Sequence, residues 1–130
     1  LPIPKLTDEA LLKKFEIIVD YLLFLNDNNN SPVNLYTDNS SIAPIFEDTI
    51  NMMVNELYFE KHMKSEGIDV IQFVNQTTFP ELTQDSEANA KIIGDAYKWL
   101  QQQDNPIRNR AILANIKSQD IIRIINGTTH

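Results

Sequence analysis

Glu9-Ala10-Leu11-Leu12-Lys13-Lys14-Phe15-Glu16-Ile17-Ile18-Val19-Asp20-Tyr21-Leu22-Leu23-Phe24-Leu25 decides the fold class of this chain. Leu11, Phe15, Ile18, Leu22 and Leu25 step by four, three, four and three, the spacing that lines one side of an α-helix. Leu12, Val19 and Leu23 widen that stripe, while Lys13, Lys14, Glu16 and Asp20 form the polar face. An apolar arc this broad is expected to pack on more than one neighbour. Thr7 is placed to cap the helix, with Asp8 and Glu9 in the first turn, where negative charge opposes the positive helix end.

Upstream, Leu1-Pro2-Ile3-Pro4-Lys5-Leu6 is stiff. Its prolines fix φ and push the residues before them to extended geometry, so residues 1–6 read as a strap and not as helix. Downstream, residues 26–40 form a long polar connection containing Pro32, expected to be a mobile spacer. A second helical pattern then uses Ile42, Ile45, Phe46, Ile50, Met53, Val54, Leu57 and Tyr58, with Ser40 or Ser41 as cap and Pro44 in its first turn. Lys61, His62 and Lys64 favour its C-terminal end, and Gly67 is its expected left-handed stop. Two long apolar stripes predict an antiparallel pair.

Shorter elements follow. Asp69 is placed to cap a helix through Val70, Ile71, Phe73 and Val74, which Thr77-Thr78-Phe79-Pro80 breaks. Asp85 or Ser86 opens a helix with Ile92, Ala96 and Trp99 on its apolar side, beside Ile93, Tyr97 and Leu100. Asn105-Pro106 is a cap followed by a first-turn proline, starting a short helix through Ile112 and Leu113. Ser118 is expected to cap a separate last helix carrying Ile121, Ile122, Ile124 and Ile125, a set that also suits a strand. The expected fold is therefore all-α: an irregular antiparallel bundle of two long and three to four short helices. Residues 1–6 link it to a preceding domain and residues 7–130 make one helical domain.

At 130 residues, one domain with a core that needs no staples is expected. The chain has no cysteine, which removes disulfides and thiolate metal sites and suits a reducing, cytoplasmic setting. The longest apolar run contains Asp20 and is too short to span a bilayer, so no membrane partner is expected. Net charge is −7. Residues 1–97 carry sixteen acidic against six basic side chains, whereas residues 98–130 carry five basic against two acidic. An acidic body repels phosphate, so tight autonomous binding to DNA is not expected. Any contact falls to the last third, where Arg108, Arg110 and Lys117 are the candidate phosphate ligands, with a solvated helix face as the alternative.

The strap, the helix over 9–25, the polar gap and the second helix with its Val54-x-x-Leu57-Tyr58 core, in that order, resemble the C-terminal region of large adenine-specific DNA methyltransferases. These include the combined type IIG restriction-modification enzymes. The resemblance covers about half the chain; Asn105-Pro106-Ile107-Arg108-Asn109-Arg110 and the Ile-rich stretch from Asp120 to Gly127 also resemble the last residues of some members. It implies a non-catalytic structural module that follows and braces the target-recognition domain, its partners being the preceding domains and, through them, DNA. It further implies a parent that methylates adenine with S-adenosylmethionine. A chain opening on leucine before Pro-Ile-Pro is expected to be a piece of such a parent. The alternative is a free-standing adapter that binds another protein through its apolar faces.

No catalytic residue is assigned. Methyltransferases of this class need a Gly-rich cofactor turn and an Asn/Asp-Pro-Pro-aromatic loop that holds the flipped base. Neither is present, and Asn105-Pro106-Ile107-Arg108 lacks the second proline and the aromatic. Glu60, Lys61, Lys64 and Glu66 read as helix-surface pairs and not as a nuclease centre. His62 has no partner histidine at ligand spacing, so no metal site is expected. Trp99 and Tyr97 can stack on a base, but helical spacing assigns them to the core. Of Met52, Met53 and Met63, only Met53 lies clearly on the main stripe.

Overall fold

The computed structural model describes the backbone of residues 9–27 and 29–127, and side chains as far as Lys117. The strap, the Thr7 cap and the isoleucines of 121–125 fall outside the described residues or side chains. Among the described residues there are five helices and no strand: α1 Glu9–Asn26, α2 Asn39–Ser65, α3 Ile71–Gln76, α4 Ser86–Leu100 and α5 Pro106–Gly127. The all-α expectation holds. The division of the helices differs, because residues 106–127 form one helix of 22 residues where two were expected. Ala111 to Ser118 contains no glycine or proline, so nothing in the backbone stops the helix, and Ser118 is tolerated in its interior.

The end of α1 lies against the start of α2. Tyr21 meets Phe46 edge to face, with ring centroids 5.7 Å apart. Along α1 the buried set is Leu11, Ile17, Ile18, Tyr21, Phe24 and Leu25. The arc is therefore turned from the expected one: Leu12, Val19 and Leu23 are exposed, at 42, 41 and 65%. Tyr21 explains the turn. It is fully buried because its hydroxyl donates to the Pro80 carbonyl and its ring also packs edgewise on Phe79, 6.5 Å between centroids. An aromatic whose polar tip has a partner is a deep core residue, and burial raises the Tyr21 phenol above its ordinary range.

Helix α2 begins one residue after Asp38. The Asp38 carboxyl accepts from the Ser40 hydroxyl, and hydrogen bonding, first from Ser41, holds it below the usual carboxylate range. Pro44 sits in the second turn, not the first. The bond it deletes would have ended on the carbonyl of exposed Ser40, which water can satisfy. The backbone leaves helical angles at Phe59 (φ −131°, ψ 41°), so the helix is kinked there. It ends as expected at Gly67, φ 69°. The amide of Gly67 donates to Lys64 and that of Ile68 to Met63, the paired bonds of a Schellman stop.

Helix α3 has six residues, too few to stand alone in water. Both of its ends are held by charges from other helices. Glu56 of α2, itself buried, accepts the Val70 and Ile71 amides through Oε1 at 2.5 and 3.0 Å. Lys14 of α1 donates to the Val74 and Asn75 carbonyls at 3.0 and 2.7 Å. A carboxylate at the positive end and an ammonium at the negative end both oppose the helix dipole. The expected cap, Asp69, does not perform that role. Its carboxylate accepts instead from Gln72 Nε2 at 2.7 Å.

Two later helices start as their residues predict. Asp85 accepts the Glu87 amide to cap α4, and Asn89 ties the approach by exchanging bonds with Thr83. Asn105 accepts from the Ile107 and Arg108 amides, with Pro106 in the first position of α5. The side of α4 that faces the core is Asn89, Ala90, Ile93, Gly94 and Leu100; Ile92, Ala96 and Trp99 are only half-buried.

The polar connection after α1 carries defined contacts. Asn30 donates to the Phe24 carbonyl, Asn34 accepts from the Tyr36 and Thr37 amides, and Asn39 grips Val33 and Ser31. The Val33 carbonyl rests so close to α4 that a β-carbon on Gly94 would meet it at 2.4 Å.

Candidate functional site

Helix α5 packs on α2 and α3, and its basic residues make that contact. Arg110 Nε donates to the Asp69 carbonyl at 2.6 Å, its Nη2 lies 3.8 Å from the Asp69 carboxylate, and its guanidinium stands 4.5 Å from the Phe73 ring centre. The planar fork thus uses a carbonyl, a carboxylate and an aromatic face together. Two turns on, Lys117 Nζ meets Glu66 at 2.6 Å. Arg108 instead donates from Nη1 to the Asn109 side chain at 3.1 Å. Arg110 and Lys117 are seven residues apart on one face, whereas Arg108 lies off it. The three candidate phosphate ligands are not gathered into one cationic patch, and two of the three are already matched by acids.

Between α2 and α5 runs a groove of about 650 Å³. Met52, Met63, Phe59, Ala111 and Ala114 supply its apolar lining, and Asp48, His62 and the Glu66–Lys117 pair edge it. All three methionines are buried, with Met53 on the main line of α2 and Met52 and Met63 turned toward the groove. The buried line of α2 is Ile42, Phe46, Thr49, Met53 and Glu56, stepping by four, three, four and three. Thr49 and Glu56 occupy core positions as polar residues. Thr49 returns its hydroxyl to the Ile45 carbonyl, and Glu56 caps α3.

The ends of the groove differ electrically. At one end burial, and then Glu47 alongside, raise the Asp48 carboxyl above its ordinary value. At the other, the Lys117 hydrogen bond and charge, aided by His62, hold Glu66 below its ordinary 4.5. A depressed carboxylate pKa contributes stability above the unfolded value and loses it as the pH falls through the folded one. The melting-temperature gap between the wild type and Glu66→Gln should be open above about pH 5 and close as the solution is acidified past that range. A gap unchanged down to pH 3, about one unit below the unperturbed carboxylate range, would show that the pair does not clasp α5.

Comparison with protein-family models, curated proteins and solved structures finds no match to this chain. Among the described residues no group of three or more metal-ligating side chains converges, and no helix is long and apolar enough to cross a membrane. His62 is exposed on the groove rim. Glu60 forms an exposed surface pair with Lys64, at 2.6 Å, whereas Glu66, expected in such a pair, is taken by Lys117 of α5. Trp99 is held edgewise to Phe79, 6.1 Å between centroids, as a half-buried wall of a second pocket. Glu56 is the side chain that sequence reasoning missed. The signal was available as an acid at a core step of a periodic stripe.

Proposed function

We propose that this chain is a non-catalytic helical module of a larger adenine-specific DNA methyltransferase or restriction-modification enzyme, bracing the target-recognition domain. In that reading S-adenosylmethionine and the methyl-transfer residues belong to the parent, and DNA is engaged through it. The observation that supports a bracing role is the exposed ridge of α1. Leu12, Val19 and Leu23 remain 42, 41 and 65% open and succeed one another along one side of the helix. Single exposed apolar residues are ordinary, but an aligned row offers a packing face.

Leu12→Glu with Leu23→Glu tests the role. In the isolated domain the pair should cost no more than about 0.5 kcal/mol, because both side chains already face solvent. In the full-length enzyme the same pair should lower DNA methylation severalfold. Full-length activity that is untouched would remove the bracing role. A second reading, an adapter for another protein, is favoured by Leu35 and Tyr36, which stand 92 and 93% exposed on a turn fastened by Asn34.

A further inference from the structure

Ile92, Asp95, Ala96 and Trp99 follow one another at three, one and three residues along α4, so they share one side of it. This is the side left half-open, and it faces Phe79 across a pocket of about 360 Å³. That volume suits a small molecule or a single long side chain. The Trp99 and Phe79 ring planes stand 82° apart, so two aromatic walls meet in a corner. Phe79 also packs edgewise on the buried Tyr21 ring. Asp95, one turn before Trp99, is exposed and has no ion-pair partner among the described residues. The Phe73 ring of α3 already holds the Arg110 guanidinium; no cation of the chain occupies the Trp99 corner among the described residues.

We propose that this corner binds an alkylated ammonium group, with the cation against the Trp99 ring and its charge balanced by Asp95. The half-buried Trp99 ring presents a negative face to a cation, and a quaternary nitrogen carries little hydration to lose on entering. Ala96, being small, leaves the methyl groups room. The net charge of −7 raises the local concentration of cations and disfavours anions in the same pocket. The ammonium can arrive as a free small molecule or as a methylated lysine side chain.

Trp99 is the sole tryptophan of the chain, so its emission reads occupancy directly. The titrants are choline, a trimethyllysine derivative blocked at both ends, and the neutral analogue of choline in which carbon replaces the quaternary nitrogen, all at matched ionic strength. Either cation should give a saturable change at least about fivefold tighter than the neutral analogue. Whichever cation binds tighter identifies the source. Asp95→Asn, at an exposed helix position, should keep its circular dichroism and weaken the cation about fivefold. No saturable response, equal binding of the neutral analogue, or full affinity in a folded Asp95→Asn protein would each overturn the proposal.

Discussion

Glu56→Ala is expected to lower the unfolding free energy by about 3 kcal/mol, read as a shift in the urea midpoint at unchanged slope. The substitution removes the shared acceptor of the Val70 and Ile71 amides. Val70 is fully buried, so its N–H finds no water in exchange, and an orphaned buried donor costs its desolvation outright. The loss reaches beyond one bond. Helix α3 cannot hold six residues by itself, and it carries Phe73, on which Arg110 of α5 rests. Glu56→Gln keeps one acceptor oxygen in the same place and should cost roughly half as much. A chain of this size loses about 3 °C of melting temperature per kcal/mol, so Glu56→Ala should melt about 10 °C early. A loss below about 1 kcal/mol would mean that α3 does not depend on its cap from α2.

Gly94→Ala should also destabilise, by about 2 kcal/mol, although it is the substitution that ordinarily strengthens a helix. The added β-carbon would stand 2.4 Å from the Val33 carbonyl oxygen and 3.5 Å from its carbon. Both are backbone atoms, with no flexible end to swing aside. Val33 is itself held by Asn39, so relief requires the connection to lift off α4 and give up those bonds. The helix-propensity gain of about 1 kcal/mol is smaller than the overpacking cost. Equilibrium denaturation decides the sign. A Gly94→Ala protein as stable as the wild type, or more so, would show that the connection between α1 and α2 yields freely, as the reading of a mobile spacer expects.

Much of the helical outline was legible from spacing. The repeats over 11–25 and 42–58, the Gly67 stop, the Asp85 cap and the Asn105-Pro106 start each rest on chemistry within one or two turns. What stayed hidden depends on partners distant in sequence. Tyr21 is a core residue because the Pro80 carbonyl, 59 residues on, accepts its hydroxyl's hydrogen bond. Gly94 is required by a loop residue, Val33, 61 residues earlier. Lys14, placed on a polar face by periodicity, serves as the C-terminal cap of α3.

The basic residues of α5 show the same limit at the candidate site. Arg108, Arg110 and Lys117 were visible as cations. That Asp69 and Glu66 engage two of them, 41 and 51 residues away in sequence, is a product of the fold. The kink at Phe59 has no proline or glycine beside it, and nothing in the structure explains it.

The proposed parentage is tested most directly by the native reading frame upstream of Leu1. It predicts a frame that continues for several hundred codons and encodes a Gly-rich cofactor turn and an Asn/Asp-Pro-Pro-aromatic loop. A start codon within a few residues of Leu1 would contradict it and leave the exposed residues of α1 and the Leu35-Tyr36 turn to a separate partner.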